Sequence, residues 1–449
     1  MSVATTPPEA PTGTRRSVPK SRTAWMIVGL LFLFTFMNFA DKAVVGLAGV
    51  EMIKDLGLTK EQFGIVQSSF FWMYAVGAIV GGLLVGRIPA RWLLAGTASL
   101  WVIALIPMIW SSSFTVLVAT RVLLGFAEGP TAAMALAVAH SWFTADKRAL
   151  PSSIITAGTS AGPLVAAPVI TALVLHHSWH AAFAVTAAAG VCWVVLWLML
   201  GKEGKEEAGD PHAGQASMTD SVLPEHVPYR RLLLSGTVVG TCVLFFVTYS
   251  NSAVKISWLP LYLREGLGYD ATTAAKLITL PYLTTGIMMV LAGLASRMMT
   301  KRGLSNRVAR GGFASGLIVV GGLSTIAFSM IDRGPLQIVL ISVGASLVAA
   351  SNGVAWAAVS DVVPAKQRGT VFACIIAAYS LGGIVAPLIL GKLVDNAGES
   401  PLEGYSRGFL GLGIMLIVGA IIAFLLINPD KEVKRLAAKA SRDNADVTA

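Results

Sequence analysis

Residues Trp25–Gly49 read WMIVGLLFLFTFMNFADKAVVGLAG, an apolar run that contains one charged pair, Asp41 and Lys42. About 20 apolar residues are enough to cross the hydrocarbon core of a bilayer as a helix. A charge at that depth costs about 2.5–3.5 kcal/mol on insertion scales, so such charges usually face a protein interior and mark a pathway. The run therefore predicts a transmembrane helix with a functional acid and base.

Two further apolar runs contain isolated charges. The run from Phe114, FTVLVATRVLLGFAEGPTAAMALAVA, holds Arg121 and Glu128. The run from Leu232, LLLSGTVVGTCVLFFVTYSNSAVKISWLPLYL, holds Lys255. Together these charges predict a polar cavity inside a membrane protein that moves a charged solute.

The composition agrees with a chain whose main solvent is lipid. Of the 449 residues, 55% are hydrophobic and 13% are charged, and the mean hydropathy is +0.71. Soluble domains carry about 25% charged residues. The net charge of +10 is explained by loop lysines and arginines, so we expect no nucleic-acid partner. Three cysteines lie in apolar runs and show neither a disulfide framework nor metal-ligand spacing, so we expect no metal.

The sequence predicts an all-α membrane protein with twelve transmembrane helices. The runs are too long for barrel strands, and only helices or closed barrels satisfy the backbone in lipid. The predicted spans are 25–48, 63–86, 92–111, 114–141, 150–175, 181–200, 232–263, 273–299, 308–331, 335–361, 368–393 and 406–427.

The longest polar stretch between spans divides them six and six. We therefore predict a disordered cytoplasmic tail at 1–24, an N-terminal lobe at 25–200, a cytoplasmic linker at 201–231, a C-terminal lobe at 232–428 and a cytoplasmic tail at 429–449. Lysines and arginines concentrate in segments on the side of the termini, so the positive-inside rule predicts both termini in the cytoplasm. We expect a multi-pass protein of the plasma (inner) membrane that is monomeric.

The two halves repeat one another. The loop GLLVGRIPAR at Gly82–Arg91 follows the second span, and GLASRMMTKRG at Gly293–Gly303 follows the eighth. Equivalent segments of the two halves are about 210–220 residues apart. Two pseudo-symmetric lobes with a binding site between them are a transporter architecture.

These loops resemble the signature of the major facilitator superfamily, although Gly86 and Ser296 replace its usual Asp. More narrowly, the chain resembles the anion:cation symporter family of organic acid:proton symporters. That resemblance is carried by NFADK (Asn38–Lys42), RVLLGFAEGP (Arg121–Pro130), SWFTADKRA (Ser141–Ala149), SWLPLYL (Ser257–Leu263), LPYLTTG (Leu280–Gly286) and WAAVSDVVPAKQRG (Trp356–Gly369). It covers all twelve spans and implies the major facilitator fold.

The resemblance also implies roles for individual residues. Asp41 and Glu128 are the expected proton-coupling groups, and Lys42 stands where the family usually has Arg. A lysine offers a point charge without the planar fork of a guanidinium. The basic loops imply gating residues at Arg87, Arg91, Arg297 and Arg302.

Spacing constrains the charged residues further. Arg121 and Glu128 are seven residues apart, so two helical turns return them to nearly one face, about 10 Å apart along the axis. Asp41 and Arg121 lie at similar depth, which allows an ion pair and makes Arg121 the expected ion-pair partner. Lys255 has two open interpretations: a substrate ligand, or a lysine that extends along its helix to the outer surface.

The expected substrate site holds charged, hydroxyl-bearing and aromatic residues from both halves. They are Lys42, Tyr74, Thr159, Lys255, Trp356 and Tyr379. On the eleventh span, Ile376 and Ser380 stand where sugar-acid carriers often have Asn. We therefore expect an aromatic or weakly hydroxylated organic anion as substrate.

Three functions compete at this point. The first is import of an organic carboxylate by alternating access, coupled to H⁺ as the coupling ion, with Na⁺ left open and no other cofactor. The second is a proton-coupled efflux antiporter, because GTSAGP at Gly158–Pro163 partly resembles an antiporter motif. The third is a transporter-like membrane sensor. An enzyme is not expected, since no nucleophile or metal constellation accompanies the polar sites.

Overall fold

The structure is a computed structural model that describes residues 21–84, 87–143, 147–204, 227–364, 367–436 and 438. Within that part of the chain, twelve helices are long and apolar enough to cross a membrane, and each coincides with one predicted span. The predicted tail at 1–24 and linker at 201–231 lie mostly outside the described residues. Residues 429–436 are helical, and Val433 and Leu436 within them are buried.

Besides the helical residues 429–436, the described chain contains fifteen α-helices. They are α1 Ser21–Leu47, α2 Gly49–Leu56, α3 Lys60–Leu84, α4 Ala90–Leu105, α5 Phe114–Glu128, α6 Thr131–His140, α7 Ala149–His176, α8 Trp179–Leu200, α9 Tyr229–Leu233, α10 Gly236–Leu261, α11 Ala271–Lys301, α12 Phe313–Ser329, α13 Pro335–Ser360, α14 Arg368–Asn396 and α15 Pro401–Leu426.

Short helical turns extend several of these helices. A 3₁₀ turn at Ile106–Ile109 continues α4, and a π turn at Tyr262–Gly266 continues α10. A second π turn at Arg307–Gly312 leads into α12. With these turns the third span reaches 20 residues and the ninth 23, and the seventh, whose α-helix is already long enough to cross a bilayer, extends to 31.

The fourth span is broken, whereas the sequence predicts it as continuous. It ends as α5 at Glu128 and restarts as α6 at Thr131. Pro130 has no amide N–H to continue the helical hydrogen bonds. The hydroxyl of Thr131 donates to the carbonyl of Glu128 at 2.7 Å and stabilises the break.

The two halves pack in the same pattern. In the first half α1 packs on α7, α3 on α5 and α4 on α8. The equivalent pairs of the second half are α10 with α14, α11 with α13 and α12 with α15. The predicted internal repeat is therefore visible in the helix pairing.

The halves meet along two extended helix pairs, α3 with α14 and α7 with α11, and along α1 with α10. Because the number of spans is even, the start of the first span and the end of the last span lie at one end of the bundle, which we call the termini end. The other end is called the opposite end and carries α2, the turn after α10 and the connection from α14 to α15. The site lies between the halves.

Polar contacts join the two halves at the opposite end. Arg264 donates to both carboxylate oxygens of Glu51, at 2.9 and 2.6 Å. Lys60 pairs with Glu265, and its backbone N–H donates to Asp395 at 2.8 Å. These contacts tie α2 and α3 to α10 and α14, and they separate the middle of the bundle from the opposite end.

Candidate substrate site

Lys42 lies on α1 with its ammonium group held by neighbours from the same half. Its Nζ donates to Oδ1 of Asn38, one turn earlier, at 3.0 Å. It lies 3.1 Å from Oε2 of Glu128 and 4.2 Å from the centre of the Phe39 ring. Lys42 and Glu128 are both buried, so each charge compensates the other where little water solvates them.

Glu128 is positioned by close packing of α5 on α3. Gly125 lies against the carbonyl oxygen of Phe70, and Gly129 lies against that of Tyr74. A side chain at either glycine would collide with backbone, and small residues of this kind let membrane helices approach closely. Oε1 of Glu128 has no hydrogen-bond partner within the described chain.

Asp41 contacts residues of the first half. The indole Nε1 of Trp101 on α4 donates to its Oδ2 at 3.2 Å. Its Oδ1 has no partner among the described residues, and the side chain is fully buried. Asp41 therefore lies behind α1 and is not in contact with the space between the halves.

Arg121 does not form the ion pair that its spacing allows. Neither Asp41 nor Glu128 lies within ion-pair distance of it, so the structure differs from the expectation and pairs Glu128 with Lys42 instead. The guanidinium lies 5.1 Å from the centre of the Phe70 ring. Its Nε and Nη1 have no partner in the described part of the chain, and solvent does not replace one, since Arg121 is only 4% exposed.

Lys255 of α10 faces the space between the halves. Its Nζ lies 4.7 Å from the centre of the Tyr282 ring on α11. This position does not agree with a lysine that extends to the outer surface. No carboxylate pairs with Lys255 among the residues that the structure describes.

These groups surround a cavity of about 320 Å³ between the two halves. The described residues that line it include three cations, Lys42, Arg121 and Lys255, and no carboxylate. Its remaining lining is aromatic, aliphatic or uncharged and polar: Phe39, Gln67, Phe70, Phe71, Thr156, Thr159, Ser160, Tyr249, Ser252, Ala253, Ile256, Ser257, Tyr282, Thr285, Met289, Ala349, Asn352 and Trp356. Small-molecule sites typically measure about 300–1,000 Å³. The cavity therefore suits a compact anion.

The other expected substrate residues divide into two groups. Thr159 and Trp356 line the cavity, as expected of ligands. Tyr74 and Tyr379 do not line it, and the Tyr379 ring packs against Tyr249, which does, with ring centres 4.3 Å apart and planes tilted by 33°. Ser380 donates its hydroxyl to the carbonyl of Ile376 at 2.9 Å, and the expectation of a weakly hydroxylated substrate stays a prediction.

Sequence reasoning missed Gln67, Tyr249 and Asn352, which all line the cavity. Nε2 of Gln67 is buried without a partner within the described chain. Asn352 accepts a hydrogen bond from the hydroxyl of Thr248 at 2.8 Å. A buried amide in an apolar run was the available signal, because an amide must find a partner in lipid just as a charge must.

The expected gating arginines lie at the termini end. Arg91 donates to the carbonyl of Leu198 at 3.2 Å, whereas the side chains of Arg87, Arg297 and Arg302 are exposed. Ser296 of α11 donates to the carbonyl of Ala309 at 2.8 Å, which joins the end of α11 to the π turn before α12. The gating role of these arginines stays a prediction.

The sequence matches the model of the Major Facilitator Superfamily over residues 31–357 and 304–448. The chain belongs to the Major Facilitator Superfamily. It is a twelve-span membrane transporter and not an enzyme, as the sequence predicts. Solved structures agree in fold: a D-xylose-proton symporter matches with a TM-score of 0.73 and 16% identity, over 91% of this chain and 99% of that one.

A second solved structure has the same architecture. A bacterial homologue of the human lysosomal transporter Spinster, in an inward-facing and occupied conformation, matches with a TM-score of 0.73 and 16% identity. The match covers 91% of this chain and 97% of that one. At this identity, the likeness concerns the fold alone.

Several similar sequences are named as transporters of organic acids. A probable sulfoacetate transporter of Cupriavidus necator is 27% identical, over 91% of this chain and 94% of that protein. A probable galactarate/D-glucarate transporter of Bacillus subtilis is 26% identical, over 95% and 96%. A D-galactonate transporter of Escherichia coli is 23% identical, over 92% and 97%.

Proposed function

We propose that this transporter imports a small organic anion together with protons, with both termini in the cytoplasm of a bacterial cell. The observation that carries the proposal is the cavity between the two halves, where three cations and no carboxylate line the described wall. Such a cavity attracts anions and repels cations. The similar sequences named for sulfoacetate, galactarate, glucarate and galactonate transport support an acidic substrate.

The walls favour a substrate with few hydroxyl groups. Phe70, Phe71 and Trp356 give the cavity aromatic surfaces, and the hydroxyl of Ser380 is used within its own helix. A polyhydroxylated acid would leave hydroxyl groups unpaired against those rings, which costs binding energy. The proposed substrate is therefore a compact organic acid with an apolar or aromatic body.

Lys42 links the substrate to the coupling proton. Its ammonium group lines the cavity on one side and pairs with Glu128 at 3.1 Å on the other. A proton on Glu128 removes the counter-charge of Lys42, so Lys42 then presents its full charge to an anion in the cavity. Substrate and proton thus favour each other's binding, as linkage requires of two coupled ligands.

Asp41 provides a second proton-coupling group in this scheme. It is buried behind α1, where Trp101 donates to it, and it interacts electrostatically with Arg121 and Lys42. A proton on Asp41 would raise the positive charge of the cavity in the same way. Its contribution sets how many protons accompany each anion.

The proposal is tested by uptake of a labelled acid into proteoliposomes under an inwardly directed proton gradient. The expected result is accumulation above equilibrium that a protonophore abolishes and that a sodium gradient does not replace. Glu128→Gln should lose accumulation but retain exchange of labelled for unlabelled acid. The matched control, Glu403→Gln, alters an exposed carboxylate at the start of α15 and should accumulate normally.

Three outcomes would contradict the proposal. Proton-driven accumulation by Glu128→Gln at the wild-type level would show that Glu128 does not couple the proton. Acid release driven by proton entry would indicate the efflux antiporter instead. Absence of acid transport in either direction would leave the sensor interpretation.

A further inference from the structure

A second cavity lies within the second half, apart from the substrate cavity. It measures about 210 Å³, and its described lining consists of apolar side chains, glycines and Ser250, whose hydroxyl donates to the carbonyl of Phe246 at 2.8 Å. No described residue lines both cavities. We call it the lateral groove, formed by residues 385–393 of α14 and 408–415 of α15 over Ser250 and Val254 of α10. It suits an apolar ligand.

The lateral groove opens on the surface that faces lipid. Val385 and Ile389 of its lining are 40% and 52% exposed, and both lie inside a membrane span. Gly411 is exposed as well, and a Cβ atom there would meet no heavy atom within 4 Å. The buried side chains of Leu390 and Leu412 form the inner wall. A ligand that enters from this side comes from the bilayer.

The length and depth of the groove match one lipid chain. Residues 385–393 rise about 12 Å along α14 and residues 408–415 about 10 Å along α15, at about 1.5 Å per residue. One leaflet contributes about 15 Å of the roughly 30 Å hydrocarbon core. Since α14 ends at Asn396 and α15 begins at Pro401, both stretches lie in the part of their helix nearer the opposite end. The groove therefore lies in the leaflet at that end.

Two cations extend the helix faces that border the groove. Lys392 follows Ile389 by three residues and Val385 by seven, so it lies on the same face of α14. Arg407 precedes Gly411 by four residues, on the same face of α15. Because α14 runs towards the opposite end and α15 runs away from it, both cations lie beyond these groove residues, on the side of the lipid headgroups.

The packing of α15 on α14 places the two cations at the same depth. A Cβ atom on Gly408 would lie 2.0 Å from Cδ1 of Leu390 and 3.8 Å from Cδ1 of Leu393. Gly408 follows Arg407 directly, and Lys392 lies between the two leucines. The groove thus has a basic mouth at its headgroup end.

Both cations keep donors for a further partner. Lys392 pairs with Glu61 at 3.2 Å and Arg407 with Glu403 at 2.5 Å, and all four side chains are 45–60% exposed. Exposed ion pairs of this kind contribute little energy. A lysine has three N–H donors and an arginine five, so each cation can bind its carboxylate and a phosphate oxygen together.

We propose that the lateral groove binds one acyl chain of a membrane phospholipid whose phosphate contacts Lys392 and Arg407. Basic groups at the mouth of a crevice between membrane helices bind lipid headgroups. A chain in the groove packs on Val254 of α10, and the next residue, Lys255, lines the substrate cavity. The bound lipid therefore supports the wall of the substrate cavity from outside.

The first test fills the groove. Gly411→Leu places a side chain there, and leucine is a better helix former than glycine, so the fold is retained. The matched control is Gly316→Leu, at an exposed glycine of α12 where a Cβ atom also meets nothing within 4 Å. Delipidated full-length protein is titrated with dioleoyl phosphatidylethanolamine and followed by native mass spectrometry.

Wild type and Gly316→Leu should bind their first lipid about tenfold more tightly than Gly411→Leu, a difference that the burial of about two methylene groups supplies. Equal affinity in all three proteins would overturn the proposal.

The second test removes the phosphate. Wild type should bind dioleoyl phosphatidylethanolamine about 2- to 5-fold more tightly than dioleoylglycerol, the scale of exposed charge contacts. Lys392→Gln/Arg407→Gln should lose that preference, whereas Lys431→Gln/Lys434→Gln, which removes two exposed lysines at the termini end, should keep it. Equal binding of both lipids by wild type would contradict the phosphate contact.

The third test locates the chain. Phosphatidylethanolamine with a diazirine in one acyl chain is cross-linked to the protein in vesicles, and the modified peptides are sequenced. Cross-links should concentrate in residues 385–393 and 408–415. Equal yields along α8, where Val185, Val191 and Val195 are also exposed, would show lipid that only surrounds the protein and would refute a site.

Discussion

Removal of Arg264 should open the opposite end of the transporter. Arg264 follows α10 and donates to both oxygens of Glu51 in α2, at 2.9 and 2.6 Å. The two side chains are 19% and 27% exposed and belong to different halves. Arg264→Gln removes the positive charge and the guanidinium group. When the halves meet at the opposite end, the variant therefore lacks this contact. When the halves are apart there, the contact is absent in the wild type as well, so the substitution changes nothing.

The expected size of the effect lies between two known limits. Hydrogen bonds to charged groups contribute about 1.5–3 kcal/mol, whereas exposed ion pairs contribute about 0.2–1 kcal/mol. A bidentate pair that is about a quarter exposed should therefore favour the closed end by about 1–2 kcal/mol. That energy corresponds to an increase of about 5- to 30-fold in the ratio of open to closed molecules.

Cysteine labelling measures this ratio. The three natural cysteines, Cys192, Cys242 and Cys374, are replaced by serine, and Ser252 in the cavity wall becomes the single cysteine. A membrane-impermeant maleimide is added from the side of Arg264. If opening limits access, the labelling rate of the Arg264→Gln variant should rise about 5- to 30-fold.

Controls separate the Arg264 contact from a general loosening. Lys392 and Glu61 also join the halves, at 3.2 Å, but their side chains are 60% and 45% exposed. Lys392→Met should change the labelling rate by less than about threefold. The double variant Arg264→Gln/Glu51→Gln should label like the single one, because both remove the same contact. An unchanged rate in Arg264→Gln, or additive effects in the double variant, would refute the reasoning.

Three further predictions concern the interior. Gly125→Ala should place a methyl group against the Phe70 carbonyl, separate α3 from α5 and lower stability by about 1–3 kcal/mol, measured as a reduced melting temperature in detergent. Trp101→Phe removes the donor to Asp41 and should reduce proton-driven uptake about tenfold. The substrate dissociation constant should change less than about threefold, and uptake and binding assays on the same variant check both. Gln67→Leu removes an unpartnered donor of the cavity and should weaken acid binding about 3- to 10-fold in thermal-shift titrations.

The sequence predicted the spans because lipid imposes a simple constraint on them. A helix that crosses the bilayer must be long and apolar, and all twelve predicted runs coincide with candidate spans. The cations were visible for the same reason, since a charge within such a run is costly. Lys42, Arg121 and Lys255 all line the cavity between the halves.

The partners of these charges were not predictable in the same way. Spacing along one helix placed Arg121 and Glu128 on one face, but it does not determine contacts between helices. The Lys42–Glu128 pair depends on how closely α3, α5 and α1 approach, and Gly125 and Gly129 set part of that approach through backbone contacts. Tyr249 was missed because an aromatic residue in an apolar run carries no distinct signal.

The separation of acids from the cavity bears on how coupling would work. If Asp41 and Glu128 lined the cavity, each ionised carboxylate would repel an anionic substrate directly and compete with it for the cations. In the structure Asp41 lies behind α1 and Glu128 reaches the described cavity wall through Lys42. Protons on these acids can then change the charge presented to the substrate without occupying its space. With the acids outside the cavity, a proton and an anion can bind at the same time, as symport requires. An antiporter, by contrast, needs the proton and the anion to exclude one another.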